Sequence, residues 1–294
     1  MLLSTPKTVL FYSFKGGVGR TMTMLNCAKH LSKNGKKILM VDFDLYAPGL
    51  SFWKINSTQK NEDEKYFLNF LVDDFNGKDD NKKIYKKYID ENLYLVPIYD
   101  MSNISAYHKL LIELSAFLFD IKSKANKKIS SNSTLSDIIL DTITTKLIEN
   151  EKFDYIFFDA RTGLTEVSDI LFSSRVDLKV FISACNRQNI NGINSVLNLI
   201  KNQKHSILRV LSLIPDINHR KIELLKSESN LDDDLKLKKN FQWYDVMGIS
   251  YYSDIVLNDF ELWEKLEDEH QYKIELKDIA NKIEDIIYGE KFEL

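Results

Sequence analysis

Lys15, Arg20 and Thr21 fall within one short stretch, Phe14-Lys-Gly-Gly-Val-Gly-Arg-Thr21, with Gly16, Gly17, Val18 and Gly19 between them and Met22 just beyond. Two cations, a hydroxyl and closely spaced glycines suit the holding of an anion. The apolar run Thr8-Val-Leu-Phe-Tyr-Ser13 reads as a strand, and a helical pattern begins at Thr21. A strand that breaks into glycines and restarts as a helix gathers backbone N–H groups at a positive helix end, which fits the phosphates of a nucleotide. Gly16, Gly17 and Gly19 let the backbone turn with positive φ and approach a ligand closely. Thr21 would offer its hydroxyl to Mg²⁺. Arg20 keeps the charge of the lysine usual at this position but carries a planar fork of donors. Two outcomes are open: it clamps phosphate oxygens bidentately, or its bulk pushes the γ-phosphate off line.

Three acids extend the pattern. Lys37-Ile-Leu-Met-Val-Asp42-Phe-Asp44 is a buried strand ending in carboxylates at i and i+2, on one face of an extended chain. Phe153-Asp-Tyr-Ile-Phe-Phe-Asp159 is a second apolar strand that ends in an acid. Carboxylates behind hydrophobic strands, following a phosphate-binding loop, make a Mg-nucleotide site. Arginine is sparse in this lysine-rich chain, yet Arg20 and Arg161 both lie in these motifs, where bidentate anion geometry favours it. For Arg161 a salt bridge to Glu166 and a role near the γ-phosphate or across a dimer both stay open.

Positioning these groups takes an alternation of strands and helices. Helical spacing covers 21–34, 66–75, 104–121, 135–149 (with Ile138, Ile139, Thr142, Leu147 and Ile148 inward), 164–174, 189–202 and 273–288. Strands are expected at Leu93–Ile98, Val176–Ile182 and Ile207–Ile214, besides those that carry the acids. Lys82–Asp90 reads as a short charged helix or loop, Lys122–Thr134 as a surface loop, and 217–240 as a charged excursion of one or two helices. Alternating strands and helices mean an open parallel sheet covered on both sides. One domain over 1–294 is expected, with an insertion at about 52–90 and a variable C-terminal portion at 217–294.

KGGVGRT followed by VDFDLYAPGL resembles the ParA/MinD-type ATPases with the deviant Walker A motif, most closely their KGGVGR variant, which also carries D-x-R-T-G, here Asp159-Ala-Arg161-Thr162-Gly163. The resemblance covers about residues 7–214. It implies an α/β, three-layer P-loop NTPase fold with a mostly parallel sheet, ATP and Mg²⁺ as cofactors, and slow ATP hydrolysis in a nucleotide-dependent homodimer. By the same resemblance Lys15 reaches the partner's phosphates, Arg20 serves the phosphates in cis, Thr21 and Asp159 hold magnesium, Asp42 belongs to the first shell around metal and water, and Asp44 lies near the attacking water. Segments near Pro215–Asn218 and Tyr251–Ile255 would flank the adenine. The expected role is a switch acting on a partner protein encoded nearby, with antiviral defence as one setting. A scaffold with little hydrolysis and a DNA-binding partition ATPase are the alternatives.

Bulk properties restrict the choice. The chain has 294 residues, 44% of them hydrophobic and 12% aromatic, enough for a large core. A net charge of -3 confines any nucleic-acid binding to local patches, such as Lys122–Lys128 and Lys236–Lys239. Cys27 and Cys185 suggest neither a disulfide framework nor a metal site. Met1–Lys7 is too short for a signal peptide, and no apolar run approaches a membrane span, so a cytoplasmic protein is expected. The final helix is apolar on one face but acidic rather than basic on the other, which favours packing onto the domain over lying on a membrane.

Overall fold

The structure is a computed structural model; it describes residues 5–53, 60–78, 80–125, 134–149, 151–165, 167–215, 241–244, 246–253, 255 and 262–289. At its centre β1 (Lys7–Tyr12) lies between β7 (Tyr155–Ala160) and β8 (Leu178–Ala184). The sheet continues past β7 through β2 (Ile38–Phe43) and β6 (Leu93–Val96) to β5 (Lys87–Asp90). Past β8 it continues through β9 (His205–Ile214), against which β10 (Phe241–Trp243) and β11 (Met247–Ser250) pair. All these pairings are parallel except β5 with β6. β3 (Glu64–Lys65) and β4 (Lys83–Ile84) form a separate parallel pair.

Alternation in the strands assigns the two faces. Val9 and Phe11 point to one side, with α1 (Arg20–Lys33) and the last helix, α8 (Gln271–Tyr288). Leu10 and Tyr12 point to the other, with α2 (Phe67–Phe75), α3 (Ile104–Ala125), α4 (Leu135–Leu147), α5 (Ser168–Leu171) and α6 (Arg187–Ile200). Short α7 (Leu262–Lys265) precedes α8. The protein is therefore a three-layer α/β structure with its mostly parallel sheet covered on both faces. On α8 Leu276, Ile279, Ala280 and Ile283 are fully buried, against the cluster that includes Leu25, Ala28 and Leu31 of α1. Each such leucine or isoleucine side chain contributes about 1.5–3 kcal/mol through burial, so the helix is part of the core. Neither cysteine forms a disulfide. Among the described residues no helix is long and apolar enough to cross a membrane.

Three expectations are corrected. Lys82–Asp90 is neither helix nor loop throughout but supplies β4 and β5. Its lysines obscured the strand pattern: Lys87 is buried, its ammonium donating to the Trp53 carbonyl at 2.9 Å. The helix expected at 164–174 shrinks to α5, whose N-cap is Val167 without a side-chain cap bond; just before it the Thr165 hydroxyl accepts from the Ser168 N–H at 3.1 Å. On α4 Leu140, Ile143 and Leu147 are buried and Ile139 and Ile148 pack against the same core as expected, whereas Ile138 is 50% exposed. A capping box between Thr134 and Asp137 sets where that helix begins and therefore which face turns inward. The charged excursion at 217–240 lies outside the described residues. So do the patch Lys236–Lys239 and the core of the loop expected at 122–134.

A buried cation sits beneath the opposite face from α8. Lys179 on β8 is wholly enclosed and donates to the carbonyl of Ser173 at 2.9 Å, and burial holds its pKa down at about 7. The unfolded chain binds that proton up to its ordinary pKa near 10.4, so stability rises with pH between about 7 and 10 by roughly 1.4 kcal/mol per unit from this group. Lys179→Met should therefore lose that slope. Denaturant melts of wild type and variant at pH 7 and pH 10 check it, and parallel pH dependences would count against it.

Candidate nucleotide-binding site

The loop between β1 and α1 folds as its glycines dictate. Gly17 and Gly19 have φ of 77° and 79°, the left-handed region that side chains with a Cβ rarely adopt. The Gly19 carbonyl receives the Thr23 N–H at 2.8 Å and the Thr23 hydroxyl at 2.9 Å, which fixes the first turn of α1. At the loop's start, the Phe14 ring packs so tightly on Gly192 of α6 that a Cβ there would fall 2.1 Å from Cδ1. That contact anchors the residue next to Lys15.

Two adjoining cavities open over the loop. One, of about 280 Å³, is lined by Ser13, Gly16–Met22, Asp44, Ala47 and Thr162. The second, of about 320 Å³, shares Gly17, Val18, Gly19 and Met22, and its farther wall includes Leu213, Ile249, Tyr252, Ile255 and Tyr272. The first is walled by the glycine loop and carries Ser13, Arg20, Thr21, Asp44 and Thr162, groups that can meet phosphates. The second is apolar with aromatic sides, as a base requires, and each falls near the lower end of small-molecule pocket sizes. Leu213 has φ of 56°, a costly conformation for a bulky residue, where β11 shifts register along β9.

Beneath the first cavity the acids converge. Asp42 and Asp159 are register partners on β2 and β7, and both are fully buried. Arg20 does not extend over the loop. It turns inward: Nε donates to Asp159 Oδ1 at 2.6 Å, and Nη2 to Asp44 Oδ2 at 3.3 Å. The Thr21 hydroxyl donates to Asp159 Oδ2 at 2.7 Å. Arg20 is only 8% exposed; burial works against its charge, but the attraction of Asp159 and Asp44 outweighs it and raises its pKa. Burial raises the Asp159 carboxyl, against the pull of Arg20. Asp42 accepts from both the backbone N–H and the hydroxyl of Ser51, at 2.8 and 2.7 Å. Burial, reinforced by Asp159, pushes its pKa up to about 7.

The remaining candidates lie at the margins. Lys15 is half-buried, lines neither cavity and makes no ion pair among the described residues. The Arg161 guanidinium lies over the Tyr46 ring, 4.2 Å from its centre, a contact neither reading anticipated; Glu166 lies outside the described residues. Pro215 is exposed and lines neither cavity, whereas Tyr252 and Ile255 fall inside the segment expected to flank adenine. Sequence reasoning missed Ser51, Leu213, Ile249 and Tyr272. Only Ser51, just past the Pro48-Gly49 turn, lies close enough to a motif to have been sought.

The Thr21 hydroxyl and Asp159 carboxylate, side by side at a helix start, suit magnesium, which takes one or two carboxylates and otherwise water and phosphate oxygens. Among the described residues no group of three His, Cys, Asp or Glu side chains is arranged to hold a metal, with Arg20 lying between Asp159 and Asp44.

Comparisons agree with this geometry. A family model described as AAA domain matches residues 6–213. A putative plasmid partition protein from Borrelia burgdorferi B31, solved with AMPPNP, superposes with a TM-score of 0.60 at 20% identity, over 96% of this chain and 99% of its own. The apo form of McdA from Cyanothece gives 0.64 at 16% identity, over 94% and 99%. The cell division ATPase MinD from Pyrococcus furiosus gives 0.59 at 17% identity, over 95% and 99%. At such identities the likeness establishes a shared fold over nearly the whole of each chain. The family match spans β1, the glycine loop and every strand that carries one of the acids, and the chain belongs to the AAA domain family.

Proposed function

We propose that the protein binds ATP with magnesium, pairs with a second copy around the nucleotide, and works as a slowly hydrolysing switch on a partner protein. The observation that carries this reading is the joined cavity: a backbone-walled phosphate cradle sharing Gly17, Val18, Gly19 and Met22 with an apolar pocket for a base. Thr21 and Asp159 would hold magnesium, which would neutralise charge on the phosphates. Asp44, at the cavity wall, would orient water once it no longer receives Arg20. Lys15, outside both cavities, is free to serve a facing subunit. Neutralised, water-excluded phosphates favour phosphoryl transfer. The partition, McdA and MinD structures share the fold, and one of them holds AMPPNP.

The scaffold reading, with nucleotide bound and little turnover, rests on Arg20, which is paired with two of the acids that hydrolysis would use. Single-turnover hydrolysis by wild type and Arg20→Lys separates the two; a silent wild type with an active variant would favour the scaffold. Calorimetry with Mg-ATP tests binding itself. Thr21→Ala should cost mainly the magnesium-dependent part of affinity, about tenfold or 1.4 kcal/mol. Equal losses with magnesium and with EDTA would remove Thr21 from the metal.

A further inference from the structure

Arg20 makes contacts that phosphate binding alone does not require. Its guanidinium bridges Asp159 and Asp44 and comes within 3.5 Å of the Thr21 hydroxyl. Thr21 and Asp159 are the groups that would hold magnesium. Arg20 also lines the phosphate cavity, and its Nη1 is buried with no hydrogen-bond acceptor among the described residues. A fork with two arms on carboxylates and one donor unspent is held in place yet has reason to turn toward an anion above it. A lysine ammonium can meet two carboxylates, as Lys65 meets Asp73 and Asp80, but only from one point and without a fixed planar fork.

We propose that Arg20 is the resident cation of the metal position: in the nucleotide-free protein its guanidinium excludes divalent cations from Thr21 and Asp159, and they enter only as phosphates draw the arginine outward. The proposal rests on the nucleotide-binding reading for its second half only. Metal and nucleotide are thereby bound as one event, and free magnesium does not load the empty site.

Manganese is the probe, followed by the paramagnetic signal of the free ion, on full-length protein without nucleotide. Wild type leaves manganese free at millimolar concentration. Arg20→Gln, which strands two buried carboxylates, takes up about one ion per chain, at least tenfold more tightly than wild type. Adding Asp159→Asn to that variant abolishes the uptake. Equal uptake by wild type and Arg20→Gln overturns the proposal, as does an Arg20→Gln protein that melts cooperatively and stays metal-free. Should Arg20→Gln fail to fold, the wild type decides the matter through the nitrogen resonance of the Arg20 Nε–H group. Saturation with Mg-ATP shifts that resonance, and an unmoved signal overturns the proposal. A wild type that binds no nucleotide at all defeats the function proposed above, while the manganese comparison still judges the exclusion of metal by Arg20.

Discussion

Gly19→Val should remove nucleotide binding, lowering affinity at least about a hundredfold, or about 2.7 kcal/mol, while the protein keeps its fold. Gly19 has φ of 79° and ψ of 18°, and holding a β-branched residue there costs on the order of 1–3 kcal/mol. A Cβ at this position meets no protein atom within 4 Å, so steric collision with the chain is not the cause. The open space it enters belongs to the cavities that Gly19 lines, where phosphates must approach the backbone. The loss is therefore concentrated on the ligand, and stability falls by the strain alone. Calorimetry with Mg-ATP, beside a thermal melt showing one cooperative transition, checks both parts. Retained micromolar binding in a folded Gly19→Val would sink the phosphate-loop assignment.

The opposite signature is expected at Lys15. Lys15→Ala should leave nucleotide affinity within about twofold, under roughly 0.5 kcal/mol, and yet abolish nucleotide-induced pairing and lower turnover at least about a hundredfold. Phe14 is wedged against Gly192, which fixes the backbone next to Lys15, and the lysine itself lines neither cavity. A charge held outside its own site does most where a facing subunit brings a second set of phosphates to it. Light scattering with a slowly hydrolysed ATP analogue measures pairing directly. A wild type that stays monomeric at saturation, or a Lys15→Ala protein that pairs equally well, would put the dimer aside. Asp44→Ala is the control: turnover slows, and the pair persists for as long as its ATP is not consumed.

Much of this arrangement was legible because it is written in periodicities. Apolar runs that end in acids give β2 and β7, and the glycine cluster gives the turn into α1. The register of Asp42 opposite Asp159 follows once both strands are known to be parallel neighbours. The direction of Arg20 was not legible, since a long side chain at a loop end can reach either the phosphates or the acids below. Only the buried carboxylates of Asp159 and Asp44, brought close by tertiary structure, decide it. β5 was hidden because Lys87, at a buried position, breaks the alternation that marks a strand, and β4, two residues long, is too short to show one. Of the apolar cavity only Tyr252 and Ile255 were foreseen, for another reason. Its walls come from β9, β11 and α8, far apart in sequence, and no local motif links Leu213 to Tyr272.

That last wall also sets a schedule. Tyr272 opens α8, and the same helix meets α1 through the Cys27 thiol and the Leu276 carbonyl, 249 residues apart in the chain. Contacts across so long a separation are slow to form and cannot precede the synthesis of both ends. A nascent chain halted before residue 271 would already possess the glycine loop and every acid, but only part of a receptacle for the base. On the nucleotide-binding reading proposed above, full competence would wait until translation has passed α8, because a shorter ribosome-bound fragment lacks the Tyr272 wall of the cavity.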